Sequence, residues 1–332
     1  MADPSIQTFC CHKPRMGNPS VSLMSEFNST TYNIVCLVSS ILGCLGAIYQ
    51  MLPRTDKSLS RRWFSLTSQR GRQIVVWLAL ADFLASLGVS MRSIVKLNNP
   101  MTTIWDEKEI IFCTILAAWI EYFYMVTWVW TLLYAVDTWL AFCQRHGYPK
   151  LYHTVAWIIP ALLTTVGLTL LYFPNADCHN YGTSLRDTTF IRLLPNYVLM
   201  YTVIAAVMVL APCFYIASAR NADSLVSSCL GQVTNKERSV VQAIRIRFAL
   251  TVGMFAICWT PNLVNGIIIW CTWGNLSVSV LLGLWYFMAV INPLQAFFNS
   301  IVYRRANTKI DFQFNVRLTD ETTPLLPANI NT

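Results

Sequence analysis

Charge is what this sequence has least of. Asp, Glu, Lys and Arg supply 12% of the 332 residues while hydrophobic types supply 55%, and soluble domains carry about a quarter charged residues. The stretches 32–52, 151–173, 193–219, 248–273 and 276–303 contain no Asp, Glu, Lys or Arg, and 73–91 and 110–136 contain one each, Asp82 and Glu121. Other absences narrow the function. The four histidines, His12, His146, His153 and His179, fall in ends and loops or on opposite sides of the expected membrane, so no helix-borne metal-ligand set is readable. The eleven cysteines show no Cys-x-x-Cys spacing of the zinc type. No lysine stands in 276–303, which excludes a retinal Schiff base there, and no two intramembrane carboxylates share a depth as a protease pair would. No apolar core follows Lys13 and Arg15, so a signal peptide is not expected and the first apolar run must target the chain. Neither a cofactor nor enzymatic activity is expected, apart from a sodium ion considered below.

What remains is seven apolar runs. Each is long enough to cross a hydrocarbon core about 30 Å thick at 1.5 Å per helical residue. Backbone groups in that core must be bonded within the segment, so the runs are expected to be helices. The expected organisation is a lumenal or extracellular segment 1–31, a seven-span unit 32–303, and a disordered cytoplasmic tail 304–332 rich in Thr, Asn and Pro. The segments 53–72, 143–150, 220–247 and 304–332 hold 17 of the 24 Lys and Arg residues. That bias puts the N-terminus outside and the C-terminus in the cytoplasm. Asn28-Ser29-Thr30 in the outside segment is a glycosylation acceptor sequence, consistent with this orientation. The net charge of +8 is thus a topology signal facing anionic lipid, and nucleic acid is not a partner.

Particular residues specify which kind of seven-helix protein this is. Cys113, at the outer end of the third run, and Cys178, in the following outer loop, both sit in an oxidising compartment that permits a disulfide. Asp82, in Leu78-Ala79-Leu80-Ala81-Asp82, is an expensive carboxylate in hydrocarbon and a functional candidate for that reason. Cys258-Trp259-Thr260-Pro261 places a proline kink beneath a tryptophan. These features together resemble rhodopsin-like G-protein-coupled receptors. The resemblance implies an all-α seven-transmembrane bundle with a Cys113–Cys178 bridge. It implies Trp259 as the floor of a ligand pocket, and Asp82 facing Asn292 of the seventh run around a sodium ion.

Two departures stand out. Asn292-Pro293 opens that family's seventh-helix motif, but the tyrosine that closes it is missing from Asn292-Pro293-Leu294-Gln295-Ala296. Where those receptors carry Asp-Arg-Tyr for G-protein coupling, this chain has Asp137-Thr138-Trp139, without the arginine.

The resemblance narrows further at Thr8-Phe9-Cys10-Cys11, Tyr134-Ala135-Val136-Asp137, Leu151-Tyr152-His153, Ile244-Arg245-Ile246-Arg247-Phe248 and Ile291-Asn292-Pro293-Leu294-Gln295-Ala296-Phe297. With these, the chain resembles the ocular albinism type 1 receptor family. That implies an atypical receptor of melanosomes and related organelles with L-DOPA or another tyrosine metabolite as ligand. It also implies a heterotrimeric G protein as partner, and control of melanosome biogenesis, size and transport. Glu321-Thr322-Thr323-Pro324-Leu325-Leu326 fits an acidic dileucine signal read by clathrin adaptors, which would send the chain from the plasma membrane to lysosome-related organelles.

For an amino-acid ligand, the candidate contacts are Glu121 for an ammonium, Arg92 for a carboxylate, and Asn262 and Asn265, which lie near Trp259 in sequence, for hydroxyl or carboxylate groups. Amine receptors place their aspartate where Ile120 stands here, and Glu121 is rotated about 100° from it. Tyr122, Tyr124, Trp128 and Trp130 are expected to pack or to face lipid. The rival functions are a plasma-membrane receptor for another small amine or amino acid, and an organelle transporter or scaffold. Transport fits less well, because the two halves do not mirror one another.

Overall fold

The computed structural model describes residues 27–52, 62–98, 107–143, 145–172, 194–228, 235–271 and 278–321. Among them are seven helices and no strand: α1 (Ser29–Met51), α2 (Arg62–Asn98), α3 (Glu107–Phe142), α4 (Pro149–Tyr172), α5 (Leu194–Ser228), α6 (Asn235–Cys271) and α7 (Val278–Glu321). All seven are long and apolar enough to cross a membrane. Their outer faces carry Ile34, Leu45, Ile158, Leu162, Val209, Ile267 and Val280, each more than two-fifths exposed. An exposed apolar belt of that extent is an aggregation surface in water and the ordinary outer wall of a bundle in lipid.

The helices extend further than the apolar runs. α5 continues to Ser228 and α6 begins at Asn235, so much of the loop expected over 220–247 is helix. α7 runs unbroken to Glu321, which makes 304–321 helical where a disordered tail was expected. The physical reason is simple: no proline or glycine stands between Pro293 and Pro324, so nothing interrupts the backbone bonding. Residues from 322 onward, with Leu325 and Leu326, lie outside the described residues.

α3 is the central post and touches α2, α4, α5 and α6; α1 closes the ring against α2 and α7. The α1–α7 seam depends on two glycines. A Cβ at Gly43 would strike the Pro293 carbonyl, and one at Gly46 would strike the Phe297 backbone. Main-chain atoms cannot rotate away as a side chain can. Gly46→Val is therefore expected to cost about 1–3 kcal/mol through overpacking, read as a lower unfolding temperature of the purified chain; an unchanged temperature would show that the seam yields. The start of α1 is capped by Asn28, whose side-chain oxygen accepts from the Thr31 amide at 3.0 Å, the usual way to satisfy a first-turn donor.

The interior is aromatic. Trp128, Trp130, Trp259 and Trp285 are among the largest fully buried side chains. Trp130 and Trp77 both meet the His153 ring edge-on, at 5.2 and 5.0 Å, which ties α2, α3 and α4 together. Such tilted ring pairs add about 0.5–1.5 kcal/mol each beyond burial.

Candidate functional site

α2 and α3 run antiparallel, and their register is fixed where the Trp119 indole donates to the Leu84 carbonyl at 2.8 Å. From that point Arg92 lies two turns nearer the Cys113 end of the bundle. Asp82 lies on the other side of it, at the depth of Thr127. Two polar layers result, separated by the Trp259 ring.

The layer towards Cys113 contains the expected ligand contacts. Tyr124 and Trp128 of α3 meet Trp259 edge-on at 5.1 and 4.8 Å, and the Trp259 indole donates to the Gln295 side chain of α7. Tyr124 and Trp128, expected as packing residues, are therefore the packing that holds the floor in place. Glu121 lies one turn before Tyr124 and is 1% exposed. Arg92 is 4% exposed and stands within electrostatic range of the Tyr124 hydroxyl. Among the described residues, no hydrogen-bond partner meets the two terminal nitrogens of Arg92, Oε1 of Glu121 or the Tyr124 hydroxyl. Asn262 and Asn265 of α6 are fully buried. Asn265 accepts from the Trp285 indole at 3.1 Å, while its side-chain nitrogen has no partner among the described residues. Cys113 is disulfide-bonded; Cys178 lies outside the described residues.

On the outer wall of α3 and α4 there is also a groove of about 480 Å³ lined by Ile115, Trp119, Tyr122, Phe123, Ala161 and Leu168. None of the buried charges lines it, and its apolar lining suits a lipid-facing surface.

Below the tryptophan, Asp82 is 3% exposed and accepts from the Asn299 carboxamide at 3.1 Å. The expected partner was Asn292. Both asparagines point the same way, because seven residues are nearly two full helical turns, but they differ in depth by about 10 Å. Depth selects Asn299. This shifts the register of the seventh-helix motif to Asn299-Ser300-Ile301-Val302-Tyr303, with the tyrosine present and Ser300 in the proline's place. Tyr303 meets the Tyr134 ring at 5.9 Å, and its hydroxyl lies 3.4 Å from that of Thr251. Phe248 meets Tyr134 at 5.9 Å and Tyr215 at 5.4 Å, so α3, α5, α6 and α7 converge through four aromatic rings.

At the far end of α3, Thr138 turns its hydroxyl back to the Tyr134 carbonyl of its own helix, at 2.7 Å. Asp137 instead reaches across helices. It pairs with Arg70 of α2 at 3.5 Å and accepts from the Tyr152 hydroxyl of α4 at 3.2 Å. Sequence reasoning missed Arg70, Tyr152, Gln295, Asn299 and Tyr303. The Asn–Tyr spacing of four was a readable signal for the last two; the pairing of Arg70 with Asp137 had none.

A model of the ocular albinism type 1 protein family matches residues 1–323. The chain belongs to that family. It is similar to the human protein named G-protein coupled receptor 143, with 27% identity over 325 residues, 91% of this chain and 77% of the human one. Membership places the chain among seven-helix receptors, a non-enzymatic class, and makes it a multi-pass integral membrane protein.

Proposed function

We propose that the chain is a G-protein-coupled receptor for a small aromatic amino acid of the L-DOPA or tyrosine type, acting in melanosomes or related organelles. The observation that carries the ligand class is the pair Arg92 and Glu121. Each is a nearly inaccessible ionisable group, one acidic and one basic, they are not bonded to each other, and each leaves polar atoms without a hydrogen bond among the described residues. Burying an uncompensated ion costs several kcal/mol. A zwitterion removes both costs at once, with its carboxylate on Arg92 and its ammonium on Glu121. Its ring would rest over Trp259, and ring hydroxyls would reach Asn262 and Asn265. A simple amine or a simple acid would neutralise only one group.

The remaining assignments follow the same reading. The Cys113 end faces the lumen, roofed by a Cys113–Cys178 bridge, and the Asp137 end faces the cytoplasm and the G protein. Pro261, one turn from the ligand contacts, lets small inward shifts become a larger swing of the far end of α6. A dileucine signal at Glu321, Leu325 and Leu326 gives adaptors their grip, and the basic cytoplasmic segments rest on anionic lipid. A sodium ion, if bound, sits at Asp82 with Asn299 and Thr127. Asp82→Asn and Asn299→Ala then each abolish sodium sensitivity of ligand binding, and Asn292→Ala retains it; the opposite ranking would return the ion to Asn292. The ligand assignment is tested by labelled L-DOPA binding to the purified chain in nanodiscs. Saturable binding displaced by L-tyrosine supports it, and its absence counts against the zwitterion cavity.

A further inference from the structure

The groove between α3 and α4, on the wall of the bundle, has one feature that a plain lipid-facing surface does not need. Its α3 side is a run of rings, Trp119, Tyr122 and Phe123, with Phe123 meeting each of the other two at 4.9 Å. The polar atoms of that run are already bonded. The Trp119 indole donates to the Leu84 carbonyl at 2.8 Å, and the Tyr122 hydroxyl to the Trp157 carbonyl at 3.3 Å. The α4 side is made of small residues, Ala161, Thr164 and Thr165, ahead of Leu168. Thr154 and Thr169 of the same helix turn their hydroxyls back to the carbonyl four residues earlier, at 3.1 and 2.7 Å, a common way for a helical threonine to satisfy itself. Thr164 does not. It is 5% exposed and lines the groove, and its hydroxyl has no partner among the described residues. Three residues on, along the same face of α4, Gly167 makes room for Asn196 of α5: a Cβ there would strike the Asn196 carboxamide oxygen. Asn196 is 1% exposed, and neither polar atom of its carboxamide has a partner among the described residues. A buried hydroxyl and a buried amide thus lie along one face of α4 at the side of an apolar groove, where hydrocarbon can satisfy neither.

We propose that this groove binds a membrane sterol, a neutral fused-ring lipid whose single hydroxyl is anchored at Thr164. The proposal requires only that the bundle spans a membrane, and it is independent of the ligand and G-protein readings above. Three properties of the groove define its occupant. It opens on the lipid side, where Ile115 is 58% and Trp119 38% exposed, so what enters it comes from the bilayer. Among the described residues no charged side chain lines it, so a phosphate or ammonium headgroup would find no counter-ion. A wall of rings facing small residues suits a rigid planar body, whereas a flexible acyl chain would lose conformational freedom on binding. The dimensions agree. The groove measures about 480 Å³, within the usual range for a small-molecule site, and the stretch from Ile115 to Phe123 spans about 12 Å of α3. Ile115 and Leu168 mark the edge nearer Cys113, Phe123 and Ala161 the edge nearer the bilayer centre, and Thr164 lies between them. A sterol with its hydroxyl at Thr164 therefore lays its rings on Tyr122, Phe123 and Ala161 and points its tail towards the bilayer centre, as the lipids of that leaflet do.

The test uses the full chain in phosphatidylcholine nanodiscs with a diazirine-bearing cholesterol, read by mass spectrometry of the labelled peptides and by thermal unfolding. The native chain is expected to label saturably over 115–123 and 161–168. Unlabelled cholesterol competes, and cholestane, which lacks the hydroxyl, does not. Thr164→Val, which keeps the shape and removes the hydroxyl, weakens the saturable labelling by about fivefold, the worth of one neutral hydrogen bond, and Thr164→Ser retains it. The rise in unfolding temperature that cholesterol gives the native chain shrinks in Thr164→Val. Ala161→Phe, which fills the groove, abolishes labelling of both peptides; should that variant unfold, the two threonine variants and the cholestane comparison decide the matter. Labelling that grows linearly with sterol and spreads over all the outer helix faces overturns the proposal, because it marks unspecific boundary lipid. Equal competition by cholestane, or native labelling of Thr164→Val, overturns the hydroxyl anchor and the proposal with it. So does equal saturable labelling by a photoreactive phosphatidylcholine acyl chain, and so does crosslinking of these peptides between two copies in sterol-free discs, which gives the groove to a second copy of the chain.

Discussion

Replacing Glu121 with glutamine will make the ligand-free receptor harder to unfold and the ligand-bound receptor easier to unfold. The sign reversal follows from burial. In the free state Glu121 is 1% exposed with an unbonded oxygen, so an amide of the same shape removes the cost of holding an ionisable carboxyl there. In the bound state the same change leaves the ligand ammonium without its counter-ion. Arg92→Met is expected to behave alike, because it keeps a linear side chain and removes a buried guanidinium whose terminal nitrogens have no partner among the described residues. Truncating one member of a desolvated charge pair costs about 2–5 kcal/mol of binding, a loss of roughly 30-fold at the least. The losses also sort by ligand: Arg92→Met penalises the zwitterion but not the corresponding amine, and Glu121→Gln penalises the zwitterion but not the corresponding acid. Thermal unfolding with and without ligand, together with competition binding, reads both effects. Glu121→Gln that destabilises both states would show the carboxylate to be a structural bond instead.

The second large effect is at the Asp137 end. Arg70→Ala leaves a carboxylate of 4% side-chain exposure without its cation, whereas Asp137→Asn leaves Arg70, at 20% side-chain exposure, able to reach water and still provides Tyr152 with an acceptor. Removing the base is therefore expected to cost more than neutralising the acid, about 1–3 kcal/mol for Arg70→Ala against under about 1 for Asp137→Asn. Asp137→Ala, which also leaves the Tyr152 hydroxyl without an acceptor, should fall between them. Because the triad joins α2, α3 and α4, its loss loosens the end proposed above to face the G protein, and Arg70→Ala should then raise agonist-free nucleotide exchange. Denaturation curves and basal exchange on the same preparations check both points. Equal stability of Arg70→Ala and Asp137→Asn would mean that solvent, not the ion pair, satisfies Asp137.

Much of the bundle is legible in the residues alone. Uncharged stretches such as 248–273 can only be spans once the backbone must bond to itself in lipid, and Trp259, Asp82, Glu121 and Arg92 stand out because polar or kinked positions in hydrocarbon need a reason. What the chain order hides is depth. Asn292 and Asn299 share a helix face, and only the packing of α7 against α2 decides which one meets Asp82. Equally, nothing local to Arg70 announces Asp137, because their pairing depends on how α2 sits against α3. Over 304–321 helix stands where composition favoured disorder, because helix needs only the absence of breakers, and none occurs between Pro293 and Pro324.

The most direct measurement is nucleotide exchange by a purified heterotrimer on the native chain in nanodiscs, compared across L-DOPA, its decarboxylated amine and its deaminated acid. The prediction is exchange driven by the zwitterion at concentrations at least about tenfold below those needed for either fragment, consistent with two buried charges that each require a counter-ion. Equal potency of all three compounds, or no exchange with any of them, would contradict it.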